Sequence, residues 1–115
     1  MQITVTARNL EMSDGLRDHV HQKVQQALAD FPRILSVHVI LTIEKYRHIA
    51  EVVLQAPHHL RVEAKHESAD MYASIDGALD KAHKQLRHHV DKAHGHKAHG
   101  KLGELEAEAA GELPA

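Results

Sequence analysis

The sequence predicts an α+β domain of element order β-α-β-β-β-α, a four-stranded mixed sheet with two helices on one face. Three observations carry this. Four segments alternate apolar and polar residues with the period of a strand, and two others repeat apolar residues every three or four positions, the period of a helix. The helical segment between the first two strands implies a right-handed crossover that makes them parallel, and the short connections that follow imply an antiparallel meander.

Gln2 to Arg8 sets Ile3, Val5 and Ala7 against Gln2, Thr4 and Thr6, a strand with one buried face. Ser13 can cap a helix whose apolar stripe is Leu16, Val20, Val24, Ala27, Leu28 and Phe31. Pro32 ends that helix, because its ring disfavours helical backbone at Phe31. The second strand runs from Leu35 to Glu44. Val37, Val39, Leu41 and Ile43 form one face and His38, Ile40 and Thr42 the other, the two-sided pattern of a central strand. Lys45-Tyr46-Arg47 has the length of a turn but no Gly or Pro, so a turn is inferred there only from the resumption of pattern. Ile49 to Gln55 is the third strand, Ala56-Pro57-His58-His59 a turn by its chemistry, and Leu60, Val62 and Ala64 mark the fourth strand. The last helix starts at a cap on Ser68 or Asp70. Its apolar face is Met71, Ile75, Ala78, Leu79, Ala82, Leu86, Val90 and Ala93, and Gly95 is its expected stop. Residues 1–95 are therefore expected to form the domain. Residues 96–115, rich in Gly and carrying Glu104, Glu106, Glu108 and Glu112 with no basic residue after Lys101, are expected to form a flexible acidic tail.

Composition excludes several function classes. The chain has 115 residues, within the common size of a single domain, ~100 to 150 residues. It is 43% hydrophobic and 26% charged, an ordinary globular balance. No apolar run exceeds three residues, which leaves no membrane span, and MQITVTARNLEM lacks the basic head and apolar stretch of an export signal; a cytoplasmic location is expected. Absence of Cys removes disulfides, thiol catalysis and thiolate-held zinc together. There is no G-x-S-x-G around any serine, no phosphate-cradling glycine loop and no H-E-x-x-H, so neither catalysis nor a cofactor is expected. Phe31, Tyr46 and Tyr72 are the only aromatic residues. None falls within an expected strand, which argues against bases stacked across a sheet.

The formal charge of -2 speaks at face value against a nucleic-acid partner, but it averages two regions of opposite sign. The acidic end carries four Glu, whereas Lys81, Lys84, Arg87, Lys92, Lys97 and Lys101 face Asp91 alone in their span. On a helical wheel advancing about 100° per residue from Met71, Lys81, Lys84, His88 and Lys92 fall together between about 220° and 300°. Asp76, Asp80 and Asp91, with Arg87 among them, occupy a separate sector between about 140° and 200°. A solvated helix face more often mixes signs in i,i+4 pairs, and here only Asp80 to Lys84 sets the acid ahead of the base, Arg87 to Asp91 being the reverse order. Cations segregated along a rod suit a phosphate backbone. Arg17 and Lys23 on the first helix, and Arg33 after Pro32, are candidates to extend that line.

The 13 His raise a second possibility. His94, His96 and His99 have spacings that can chelate a transition metal, but they lie at and beyond the helix end, where no regular element preforms a site. No physiological metal is expected. His89 projects toward the apolar side and is expected to pack at the core edge, while His19, His21, His58 and His59 are expected as surface polar residues.

MQITVTARNLEMSDGLRDHV, the strand VHVILTIEK and above all DMYASIDGALDKAHKQL resemble the ribosome hibernation-promoting factors and the related ribosome-associated inhibitor, the sigma-54 modulation protein family, in its short form. The resemblance spans about Met1 to Lys92. It implies a sheet like that of double-stranded-RNA-binding domains, and a non-enzymatic protein that binds the small ribosomal subunit and the whole ribosome. The implied place is the 16S rRNA near the decoding centre, where messenger and transfer RNA are excluded by occupancy. It implies rRNA contacts by Arg17 and Lys23 on the first helix and by Lys81 and Lys84 on the second, with Arg33, Arg87, His88 and Lys92 added from the charge pattern. Asp70, Met71 and Tyr72 match the motif heading the second helix, read as cap and packing with an RNA-facing role open to Tyr72. Gln26 stands where Lys is common in the family, and His88 and His89 stand in a stretch usually richer in Lys. Long members carry a second, dimerising domain that 115 residues do not accommodate, so the isolated protein is expected to be monomeric. The core resembles the members that promote ribosome pairing, whereas Glu104 to Glu112 resembles the acidic tail of those that oppose it. Two readings from other classes stand beside this one: a His-rich metal-binding protein, and a small protein-interaction domain working through a sheet edge.

Overall fold

The computed structural model describes residues 1–95, with side-chain surroundings through Asp91. Its elements are β1 (Gln2–Arg8), α1 (Asp14–Ala27), β2 (Ser36–Glu44), β3 (Arg47–Ala56), β4 (Leu60–Ser68) and α2 (Met71–Gly95). The chain divides into two units between Gln85 and Leu86, and of the second only the helical stretch to Gly95 is described. The expected tail, with His96 and His99, lies outside the described residues.

The sheet has the order β1-β2-β3-β4. β1 runs parallel to β2, with Ile3 opposite Val37 and Ala7 opposite Leu41, and β2-β3-β4 form the antiparallel meander. One sheet face is Val37, Val39 and Leu41 with Ala50, Val52, Leu54, Val62 and Ala64, all buried. Val20, Val24 and Leu28 from the first helical segment and Met71, Ile75, Ala78, Leu79 and Ala82 from α2 complete this core. At roughly 1.5–3 kcal/mol for each large aliphatic side chain removed from water, this layer dominates the stability. The opposite face, with Thr4, Thr6, His38 and Thr42, keeps polar residues against water, and Thr6 Oγ1 lies 2.8 Å from His38 Nε2.

Local chemistry explains the boundaries. Ser13, in extended backbone (φ -103°, ψ 159°), caps α1 by accepting the Leu16 N–H at 3.1 Å. The helix stops at Ala27, four residues before the expected Phe31. Leu28 N–H still reaches the Val24 carbonyl, but Phe31 N–H turns back to Leu28 instead of continuing the i→i−4 ladder. The residue before Pro32 is already excluded from helical backbone, so the last turn unwinds toward β2. The β2–β3 hairpin closes through Lys45 and Tyr46 alone, since Glu44 pairs with Arg47. Lys45 takes the left-handed φ of 56° that Gly or Asn usually supplies. Three residues close the β3–β4 turn, with His58 at φ 67° and His59 at φ 61°. β4 continues to Ser68, three residues past Lys65, where the alternation of Leu60, Val62 and Ala64 with Arg61, Glu63 and Lys65 ends in the sequence.

Candidate nucleic-acid interface

Asp70 heads α2: its carboxylate accepts the Ala73 N–H at 3.3 Å and its carbonyl accepts the Ser74 N–H at 3.0 Å. Met71, the first helical residue, is buried, and Tyr72 is 41% exposed. One turn on, the buried Ser74 hydroxyl donates to the His48 carbonyl at 2.6 Å and lies 2.6 Å from the Ser68 hydroxyl, tying α2 to the ends of β3 and β4. At Gly77 the helix approaches so closely that a Cβ there would stand 2.5 Å from His66 Cδ2. Four residues later, Lys81 Nζ donates to the Lys65 carbonyl of edge strand β4 at 3.0 Å. One flank of α2 is thus fixed against β4 by three successive turns.

The other flank meets α1, and the two helices run parallel in a constant register. The Tyr72 hydroxyl sits over Gly15, His19 Nε2 lies 2.8 Å from Asp76 Oδ1, and Lys23 Nζ lies 3.7 Å from Asp80 Oδ1. The Tyr72 ring meets the His19 ring edge-on at 4.9 Å. Beyond the end of α1, His83 lies 3.6 Å from Asp30 and packs edge-on against Phe31. This ladder explains the segregation of charge on α2. Asp76 and Asp80 face the imidazole and ammonium of α1, while Lys81 and Lys84 remain exposed to solvent, Lys81 on the β4 side. A Lys ammonium has three donors, so the carbonyl contact of Lys81 leaves two for a phosphate.

The remaining candidate residues do not gather into one patch. Lys23 lies on the seam between the helices, half-buried beside Asp80. Arg17 is exposed but stands two residues before His19, about 160° around α1 from the seam. Arg33 is exposed in the connection to β2. In the second unit Arg87 and His88 are exposed on the helix; Lys92 and His94 lie beyond the described side chains. Among the described residues no group of three or more His, Asp or Glu could hold a metal ion.

Two histidines depart from expectation. His19 bridges the helices instead of standing free on the surface, because its i,i+4 neighbours Gly15 and Lys23 share the seam and Asp76 supplies an acceptor. His89 is exposed, its ring edge-on to that of His88 at 6.0 Å. Its projection onto the apolar side does not bury it, because an imidazole carries two polar nitrogens whose burial costs free energy unless both are hydrogen-bonded. The local i,i+4 neighbour of Asp80 is Lys84, but in the fold its partner is Lys23, and Lys65 and His66 meet α2 without any mark in the sequence. Their contacts with α2 span eleven or more residues and leave no local signal.

The chain belongs to the sigma 54 modulation protein / S30EA ribosomal protein family, whose model matches residues 3–94. It is 38% identical over 96 residues to the ribosome hibernation promoting factors of Salmonella typhimurium and Escherichia coli, covering 84% of this chain and 100% of each relative. The Azotobacter vinelandii factor of the same name is 39% identical over 92 residues, covering 80% of this chain and 85% of that one. A ribosomal subunit interface protein from Coxiella burnetii superposes with a TM-score of 0.75 at 27% identity, covering 80% of this chain and all of that one. The N-terminal domain of Thermus thermophilus Protein Y gives 0.70 at 30% identity, covering 77% and 99%. The family resemblance read from the sequence is borne out, and with it the reading that the chain, a member of a family of ribosome hibernation factors, is not an enzyme.

Proposed function

We propose that this protein silences ribosomes by binding the small subunit on 16S rRNA near the decoding centre, in the cytoplasm, and excluding messenger and transfer RNA by occupancy alone. The observation that carries the reading is the division of charge on α2. The carboxylates of Asp76 and Asp80 are turned to α1, leaving Lys81 and Lys84 on the outer flank with no acidic side chain within 4 Å among the described residues. Two ammonium groups one turn apart on one helix have a backbone spacing fixed by the fold, which suits successive phosphates. The names of the relatives, hibernation promoting factor and ribosomal subunit interface protein, support the choice of partner. Arg87, His88 and Lys92 are assigned the same role by their place in the sequence of that helix, and Arg17 and Arg33 are assigned separate contacts. Lys23 contributes less, because a phosphate must compete with Asp80 for it. The protein acts as a monomer whose residues 1–95 carry the binding.

The test is competition. Purified small subunits loaded with messenger and initiator transfer RNA are titrated with the protein on sucrose gradients. The reading expects the transfer RNA to leave the subunit peak as the protein enters it. Stable co-migration of both on one subunit would refute occupancy.

A further inference from the structure

Of the three aromatic rings in the chain, two are engaged within the fold: Phe31 packs against His83 and Tyr72 against His19. Tyr46 is not. It stands at the tip of the β2–β3 hairpin and is 90% exposed, far more than the other exposed large apolar residues.

The tip is braced in a way that a solvent loop does not require. Arg47 donates to Glu44 at 3.1 Å and to Glu67 of β4 at 2.9 Å, joining both sides of the hairpin to the neighbouring strand. Lys45 is held at φ 56°, and the His48 carbonyl is anchored by the buried Ser74 hydroxyl. The backbone on either side of Tyr46 is therefore set before any partner arrives, which lowers the entropic cost of using the ring. The clasp also settles the local charge. Arg47 occupies both nearby carboxylates, whereas Lys45 has no acidic side chain within 4 Å among the described residues. A flat ring beside an uncommitted ammonium matches one nucleotide: the ring faces a base and the ammonium its phosphate.

We propose that Tyr46 is a stacking platform for an unpaired base of the ribosomal RNA, with Lys45 on the adjoining phosphate. This rests on the ribosome-binding reading and adds to it a contact that the cationic flank of α2 does not include. It is compatible with the absence of Phe and Tyr from the strands: stacking across the sheet is unavailable, but stacking on a hairpin tip is not.

The chain has no Trp, so Tyr46→Trp places a single indole at the tip. Binding to purified small subunits is measured by co-sedimentation and by emission of that indole, with the full-length protein throughout. The proposal expects Tyr46→Trp to bind like the parent and to be quenched and shielded from iodide in the complex. Tyr46→Ala and Tyr46→Leu should each weaken binding roughly 5- to 150-fold, the loss expected for one stacked base, with an unchanged salt slope and melting temperature. Leu binding as well as Tyr would point to an apolar protein pocket and overturn the base assignment. Parental affinity in Tyr46→Ala, together with loss of binding in Lys81→Glu/Lys84→Glu, would overturn the stacking proposal while leaving the ribosome-binding reading intact. If the parent protein itself fails to bind small subunits, both fall.

Discussion

Gly77 offers the sharpest test of how α2 is seated. A Cβ at this position would stand 2.5, 2.6 and 2.8 Å from His66 Cδ2, Cγ and Nε2, closer than real Cβ contacts come. The Cγ atom is the near end of the side chain, so the whole ring must swing out or the helix must lift from β4. Gly→Ala in a helix interior ordinarily gains about 1 kcal/mol, while overpacking a tight contact costs about 1–3 kcal/mol. Taking the middle of the second range, Gly77→Ala should lose roughly 1 kcal/mol net, a fall of about 4–8 °C in melting temperature for a domain of this size. The sign should reverse once the ring is removed: in a His66→Ala background, Gly77→Ala should recover the helix gain of about 1 kcal/mol. Urea denaturation of the four proteins closes the cycle. If Gly77→Ala stabilises the parent as much as it stabilises His66→Ala, the ring does not lie against the helix. The seat of Lys81, one turn further on, would then have to be argued afresh.

Three further outcomes follow from the same contacts. Asp76→Ala should lower stability by about 0.5–1.5 kcal/mol through loss of the His19 hydrogen bond, and the double variant with His19→Ala should lose less than the sum of the two single changes, as a double-mutant cycle will read. Gly15→Ala should change stability by no more than about 0.5 kcal/mol, since its Cβ would meet the tip of the exposed Tyr72 side chain at 3.2 Å, which can give way, and Ser13 Oγ at an ordinary 3.9 Å. The Arg47 hydrogen bond, and then its charge, hold the Glu67 carboxyl below its ordinary value of 4.5. A carboxyl lowered by folding stabilises the native state above its unfolded pKa, and that contribution is lost as pH falls through the lowered folded value. NMR titration should therefore find Glu67 low in the parent and back in the ordinary range in Arg47→Ala.

The order and type of all six elements were legible in the sequence because each carries its own period, and Asp70 and Ser13 carry their caps in their side chains. The turn at Lys45 was legible only by interruption: a Lys at positive φ has no composition signal, and β4 reads three residues short because His66 and Ser68 are core-facing without being apolar. The cationic flank followed from helical projection, since Lys81 and Lys84 lie within one element. Its reason did not, because the partners of Asp76 and Asp80 are 57 residues away on α1. Lys23 shows the same limit. As a type it is a phosphate ligand; in place it is half of an interhelix pair. Gly77 and His66 could be read separately, but only the fold brings them into contact.

The central claim is that Lys81 and Lys84 meet phosphate on the small subunit. The most direct measurement is the dependence of affinity on salt for the parent and for Lys81→Ala/Lys84→Ala, using purified small subunits. Each phosphate contact contributes about 0.7–0.9 to the slope of log affinity against log salt. The account predicts a double variant that remains folded, binds more weakly, and has a slope shallower by roughly 1.4–1.8. An unchanged slope, with binding intact, would contradict it.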